Sequence, residues 1–169
     1  MSHSPRRPAL AVATTVSAAV AAATLASPVL AADPDSSTIK APKKGTRTST
    51  WSGSIATPGA DLYAELGAVD THDLTVAVKG KAKKVKKFFK RNVVTLDVAI
   101  AWSGVHNDLD LYVYDEDGAE LAVSGDFATT GEAVSIPVTE PGTYTVEVVS
   151  YLAEPGVSYD AEAALVVSR

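Results

Sequence analysis

Residues 102–118 read W-S-G-V-H-N-D-L-D-L-Y-V-Y-D-E-D-G, and this stretch decides the predicted fold. Between residues 108 and 114, aspartate or tyrosine alternates strictly with leucine or valine. A period of two is typical of a β-strand with one buried and one solvated face. An acidic turn follows and closes at Gly118, because glycine accepts a positive φ. A second alternating strand comes next, with Leu121 and Val123 predicted to point inward, so the stretch predicts a β-hairpin.

The same pattern of short apolar runs and turn residues continues along the chain. Many short strands without a long helical period are typical of a sandwich of antiparallel sheets. Pro137 cannot donate to a strand ladder, so its strand is predicted at a sheet edge. We therefore predict an all-β fold, an antiparallel β-sandwich of jelly-roll-like type. The predicted strands are residues 50–55, 62–66, 73–79, 93–102, 109–114, 119–124, 133–138, 143–151 and 158–167.

Three sequence features together resemble a known family. They are Trp102, the run D-L-D-L-Y-V-Y-D-x-D-G, and the later G-T-Y-T-V-E-V at residues 142–148. From about Val93 to Val167 the chain resembles the bacterial pre-peptidase C-terminal domain. The resemblance implies a small β-sandwich of the kind appended to secreted peptidases and other exported enzymes. Some members of that family and related collagen-binding sandwiches bind calcium. No peptidase sequence precedes the matching stretch here, so we expect a module that stands alone.

The first 31 residues have the features of a secretory signal peptide. Arg6 and Arg7 give a basic start, an Ala- and Val-rich stretch follows, and small residues at Val29 and Ala31 precede the predicted cleavage. The apolar stretch is short and interrupted by Thr and Ser, which argues against a membrane anchor. We predict a secreted, extracellular protein with no transmembrane segment in the mature chain. The chain has no cysteine, so its stability depends on its own core.

Residues 32–50 differ in composition from the rest of the mature chain. They are rich in Asp, Ser, Thr, Pro, Lys and Gly, and Ile39 is the one core candidate among them. Such a segment buries too little apolar area to offset the entropy of ordering it. We predict that residues 32–50 are a flexible linker and that residues 51–169 form a single β-sandwich domain.

Charge is distributed unevenly. The net charge is −5, yet eight of the thirteen residues in 79–91 are basic, whereas residues 92–168 contain fourteen Asp and Glu and no Lys or Arg. One interpretation of the basic run is a solvated loop with Phe88 and Phe89 against the sandwich. The alternative is a short amphipathic helix that contacts an anionic membrane or wall polymer. No recognition motif for nucleic acid is present, so we expect no nucleic-acid partner. The predicted anionic-surface contacts are Lys79, Lys81, Lys83, Lys84, Lys86, Lys87, Lys90 and Arg91.

Oxygen-bearing side chains cluster within residues 107–117. One interpretation is that these side chains order the loop before the strand and the turn after it. The alternative is a calcium site, because calcium takes carboxylate and amide oxygens. Asp108 and Asp110 project from one predicted strand face about 7 Å apart, which is too far for one ion without further ligands. The candidate calcium ligands are Asn107, Asp108, Asp110, Asp115 and Asp117, and calcium is the one candidate cofactor.

The predicted outer strand face carries the candidate ligand contacts. Tyr112, Tyr114, Asp108 and Asp110 share this face. Tyrosine rings stack on sugars or peptides while their hydroxyl groups form hydrogen bonds. The alternative interpretation places these tyrosines beneath a neighbouring loop.

Catalysis has little support in the sequence. After residue 31 the chain contains two histidines, His72 and His106, and neither has the spacing of a zinc site or of a nucleophile elbow. We predict a secreted, non-catalytic binding or accessory module whose partner is extracellular polysaccharide, peptide or an exported protein. The alternative is a surface-active protein acting through the basic run, and the lesser alternative is a secreted hydrolase.

Overall fold

Nine β-strands and one helix make up residues 32–55, 69–154 and 156–169, which the computed structural model describes. The elements are β1 (Ser36–Lys40), β2 (Gly45–Ile55), β3 (Val69–Ala77), α1 (Ala82–Phe89), β4 (Val93–Trp102), β5 (Asp108–Tyr114), β6 (Glu120–Ser124), β7 (Gly131–Pro137), β8 (Gly142–Leu152) and β9 (Val157–Ser168). One sheet has the order β1-β3-β8-β5-β6 and the other β2-β9-β4-β7. The strand pairs are antiparallel except β1 with β3, which run parallel. The predicted all-β sandwich is confirmed.

The core lies between the inner faces of the two sheets. Alternation places Leu96 beside Leu165 in the four-stranded sheet and Leu111 beside Val148 in the five-stranded sheet. These side chains are buried, with exposures of 1 % or less. The described residues contain no disulfide, so burial of apolar surface is the main favourable contribution to folding.

The prediction of a flexible linker at residues 32–50 is wrong. Strand β1 pairs with β3, and β2 pairs with β9 along its whole length from Gly45. Ile39 is buried at 1 % exposure, so the segment does contribute to the core. The polar composition arises because most side chains of β1 and the first half of β2 face solvent. Threonine also favours strands, since its branched side chain suits a pleated surface.

Two register shifts interrupt the pairing of β5 with its neighbours. A register shift interrupts the pairing of β5 with β8 between Asp108 and Leu109. Asp108 is 8 % exposed, so the prediction that its side chain is exposed to solvent is wrong. A second shift, between Val113 and Tyr114, alters the pairing with β6. Leu121 and Val123 are consequently 43 % and 50 % exposed, which corrects the prediction that they point inward. An inserted residue reverses the alternation that follows it.

Residues 82–89 of the basic run form a helix, so the predicted helix is confirmed and the predicted loop is wrong there, whereas contact with an anionic surface stays a prediction. Helix α1 turns Phe88 and Phe89 toward the core, where both are half-buried. Pro137 ends β7 at the edge of its sheet, as predicted. The predicted signal peptide (residues 1–31) and predicted strand 62–66 lie outside the described residues. No helix in the described ranges is both long and apolar enough to cross a membrane.

Candidate functional site

The outer face of the five-stranded sheet carries the predicted tyrosines. Tyr112 lies between Val123 on β6 and Glu147 on β8, and Tyr114 lies opposite Thr145 on β8. Because alternate residues share a face, the side chains of this row point away from the core. The strand order therefore brings β8 beside the hairpin of β5 and β6.

The two tyrosine rings form an aromatic pair. Their centroids are 6.2 Å apart and their planes differ by 9°. Burial raises the pKa of Tyr112, and the charges of Asp110, Glu120 and Glu147 raise it further. Burial and the charge of Glu147 likewise raise the pKa of Tyr114. Both phenols therefore stay neutral at physiological pH and can donate hydrogen bonds.

Carboxylates and hydroxyl groups surround the pair. The neighbouring Glu147 carboxylate contributes to the raised pKa of Tyr114, and burial raises the pKa of Glu147 itself. On the neighbouring strand, the Thr145 hydroxyl donates to Asp73 Oδ1 at 3.2 Å. A cleft of about 330 Å³ lies beside these groups and is lined by Tyr114, Asp115, Glu116, Gly118, Thr145 and Glu147. The face thus combines apolar ring area with groups suited to binding hydroxyl groups.

A group of carboxylates lies at the other end of β5. Glu132 is buried and accepts hydrogen bonds from the Ser124 hydroxyl, the Asp126 amide at 3.0 Å and the Thr129 hydroxyl at 2.8 Å. It therefore organises the β6–β7 connection. Burial raises the pKa of Asp110 to about 6, and the charges of Asp108 and Glu132 contribute to the shift. Sequence reasoning missed Glu132, because only the bending of the chain between β6 and β7 brings it to β5.

The raised pKa of Asp110 predicts a pH-dependent stability. Between about pH 4, the ordinary pKa of aspartate, and about pH 6, the folded protein binds more protons than the unfolded chain. The free energy of unfolding therefore falls as pH rises through this interval and levels off above it. We expect Asp110→Asn to remove on the order of 1 kcal/mol of this dependence. Thermal melts of both proteins at pH 5 and 7.5 measure it, and equal pH dependence in the two would contradict the assignment.

The predicted calcium ligands do not converge on one point. Asp115 and Asp117 lie in the turn after β5, where Asp115 Oδ1 accepts the Asp117 amide at 3.0 Å and the Ala119 amide at 2.8 Å. Asn107, before β5, donates to the Ser103 carbonyl at 2.8 Å and accepts the Glu154 amide at 2.9 Å. In the part of the chain that the structure describes, no three His, Cys, Asp or Glu residues are placed to hold a metal ion. Calcium binding stays a prediction, which a calcium titration with thermal melting tests.

Helix α1 forms one wall of an apolar groove. The groove has a volume of about 880 Å³, and its lining includes Val85, Phe89, Val94 and Val138 together with Lys86 and Lys90. All eight basic residues of the run are exposed. The structure thus places an apolar surface beside a dense positive charge.

The two histidines have different surroundings. His106 is exposed and lies 3.3 Å from the Glu154 carboxylate. His72 is buried against Trp51, with ring centroids 4.0 Å apart. Its Nδ1 lies 2.8 Å from the Pro34 carbonyl, which can only accept, so Nδ1 carries the proton and Nε2 accepts the Ser37 hydroxyl at 2.8 Å. Burial lowers the pKa of His72. Sequence reasoning missed the contact with Ser37 because it assigned that residue to a linker.

Comparisons with known proteins give one family match and several similar folds. The sequence model of the bacterial pre-peptidase C-terminal domain matches residues 93–150. The pre-peptidase C-terminal domain of Bacillus anthracis collagenase is 15 % identical over 79 % of this chain and 94 % of that chain, with a TM-score of 0.43. Aeromonas hydrophila PliG, a periplasmic inhibitor of g-type lysozyme, is 12 % identical over 79 % of this chain and 98 % of that chain, with a TM-score of 0.40. The CBM22-1 xylan-binding domain of Paenibacillus barcinonensis Xyn10C is 11 % identical over 74 % of this chain and 83 % of that chain, with a TM-score of 0.34.

No curated protein matches the chain in sequence. The family match begins at the start of β4 and ends near the end of β8, so it includes the tyrosine pair and Glu147. Residues 93–150 thus match the bacterial pre-peptidase C-terminal domain, and the resemblance predicted from the sequence is confirmed over that stretch.

Proposed function

We propose that this protein is an exported, non-catalytic β-sandwich that binds uncharged polysaccharide outside the cell through the outer face of the five-stranded sheet. The tyrosine pair carries the proposal. Two nearly parallel phenol rings supply apolar contact area at a small cost in side-chain entropy, and their hydroxyl groups supply hydrogen bonds. Export is supported by the signal-peptide features of residues 1–31.

The charge of the face favours an uncharged ligand. Glu120 and Glu147 lie beside the pair, Asp73 lies beyond Thr145 on β3, and residues 92–168 contain no Lys or Arg. An anionic polymer would be repelled there, whereas carboxylates accept hydrogen bonds from sugar hydroxyl groups. The proposal of a non-catalytic role is supported by the family match and by the burial of His72.

Retention on insoluble polysaccharide tests the proposal. We expect residues 32–169 to bind at least one of cellulose, xylan and chitin, and the double variant Tyr112→Ala/Tyr114→Ala to bind at least about tenfold more weakly, as for an aromatic hot spot. Phe127→Ala is the matched control, because Phe127 is 80 % exposed and lies in the β6–β7 connection away from the pair. Unchanged retention of the double variant, shown to be folded, would contradict the proposal, as would failure of the unmodified protein to bind any of the three.

A second candidate function is adsorption to an anionic lipid surface through helix α1. The observation that favours it is the apolar groove beside Lys86 and Lys90. Binding of residues 32–169 to vesicles with and without anionic lipid tests this candidate. Adsorption that needs anionic lipid and weakens with salt would support this candidate, because screening weakens the attraction between exposed charges.

A further inference from the structure

Asp70, the second residue of β3, has its carboxylate in the interior of the protein. Asp70 is 1 % exposed and accepts hydrogen bonds from the Tyr159 hydroxyl at 2.9 Å and from the Ala32 backbone nitrogen at 2.8 Å. Among the residues that the structure describes, no Lys or Arg forms an ion pair with it. A buried carboxylate without a cation is costly when ionised, and burial accordingly raises the pKa of Asp70.

The position of the Ala32 nitrogen is fixed by the residues that follow it. The Asp33 amide donates to the Ser52 carbonyl at 2.8 Å, and the Asp73 amide donates to the Asp35 carbonyl at 3.0 Å. The Pro34 carbonyl accepts His72 Nδ1–H at 2.8 Å. Ala32 itself is 4 % exposed. These contacts hold the Ala32 nitrogen against Asp70.

We propose that Asp70 is the binding site for a new N-terminus, formed when the chain is cleaved between Ala31 and Ala32. The proposal rests on the export part of the proposed function, because the sequence predicts signal-peptide cleavage at this bond. Hydrolysis breaks the C–N bond, water supplies the oxygen of the Ala31 carboxyl group, and the Ala32 nitrogen becomes an amine. That amine takes up a proton at neutral pH and forms a buried ion pair with Asp70.

The ion pair would make the processed chain more stable than the precursor. Before cleavage, the Ala32 nitrogen is a neutral amide, which offers Asp70 one hydrogen bond and no positive charge. After cleavage, a full cation lies at the same place, and hydrogen bonds between charged partners are shorter and stronger. The folded domain therefore gains stability in the compartment where cleavage occurs.

Matched N-terminal variants test the proposal. A chain beginning at Ala32 is compared with one beginning at Leu30, each with Asp70 and with Asp70→Asn, by thermal melting at pH 7. We expect the two extra residues to lower the melting temperature by about 5–10 °C when Asp70 is present and by much less in the Asp70→Asn background. Equal melting temperatures of the two Asp70 chains would overturn the proposal.

A second measurement does not depend on a core substitution. An amine-reactive reagent is applied to the native chain beginning at Ala32, and labelling is quantified by mass spectrometry. We expect the α-amine to react at least about tenfold more slowly than in the chain beginning at Leu30, whereas the exposed lysines of α1 serve as an internal standard. Equal reactivity of the two α-amines would overturn the ion pair. N-terminal sequencing of secreted protein tests cleavage separately, so failure of the export proposal is distinguishable from failure of the ion pair.

Discussion

Gly53→Ala is expected to cause the largest loss of stability of any small substitution considered in this protein. Gly53 on β2 pairs with Tyr159 on β9. A Cβ atom at this position would overlap the Asp70 carboxylate and lie 2.5 Å from both Cζ and the hydroxyl oxygen of Tyr159. Both neighbours are buried, at 1 % and 2 % exposure, so neither can move into solvent. We expect a loss of about 3 kcal/mol, near the upper end for overpacking.

Gly142→Ala is the matched control for this substitution. The nearest heavy atom to an added Cβ on Gly142 is Glu116 Oε2 at 3.9 Å, an ordinary contact. We expect its stability to stay within about 0.5 kcal/mol of the unmodified protein. Chemical denaturation of the three proteins gives the comparison. Equal midpoints for Gly53→Ala and Gly142→Ala would show that the polar network around Asp70 is looser than its geometry indicates.

Leu165→Ala is expected to have an effect of comparable size. Leu165 is completely buried on β9, the strand that pairs with both β2 and β4. Truncation of a buried leucine removes its apolar contacts and leaves a cavity, at a cost of about 3 kcal/mol. No disulfide in the described residues compensates for such a loss. The melting temperature should fall by roughly 10 °C.

Leu121→Ala provides the corresponding surface control. Leu121 lies on the edge strand β6 and is 43 % exposed. We expect its effect to be below about 1 kcal/mol, because little apolar surface is lost from the interior. A Leu121→Ala variant as unstable as Leu165→Ala would mean that the core is not where the sheet packing places it.

The strands that could be predicted from the sequence are those with one apolar and one polar face. In β4, β5 and β8, alternating Val, Ile and Leu indicated both the strand and its buried side. Strands β1 and β2 could not be predicted in full, because their early residues are polar on nearly every position. These two strands are held in place by pairing with β3 and β9, and a single sequence does not reveal which strands pair.

The candidate site was predictable only in part, for the same reason. Tyr112 and Tyr114 lie in the most regular strand, so their shared outward face follows from the period of two. Their partners Thr145 and Glu147 come from β8, and only the strand order brings them alongside. Asp108 is buried although its strand position predicted an exposed side chain, and the register shift next to it has no signal in a short alternating run.

The central claim is that the outer face of the five-stranded sheet is the binding surface. Backbone amide chemical shifts, followed during titration of residues 32–169 with soluble oligosaccharides of the retained polysaccharide, test it most directly. We predict that the shifts change along β5 and β8 around Tyr112, Tyr114 and Glu147 and stay constant in α1. Changes confined to α1 and the groove beside it, or hydrolysis of the oligosaccharide during the titration, would contradict the claim.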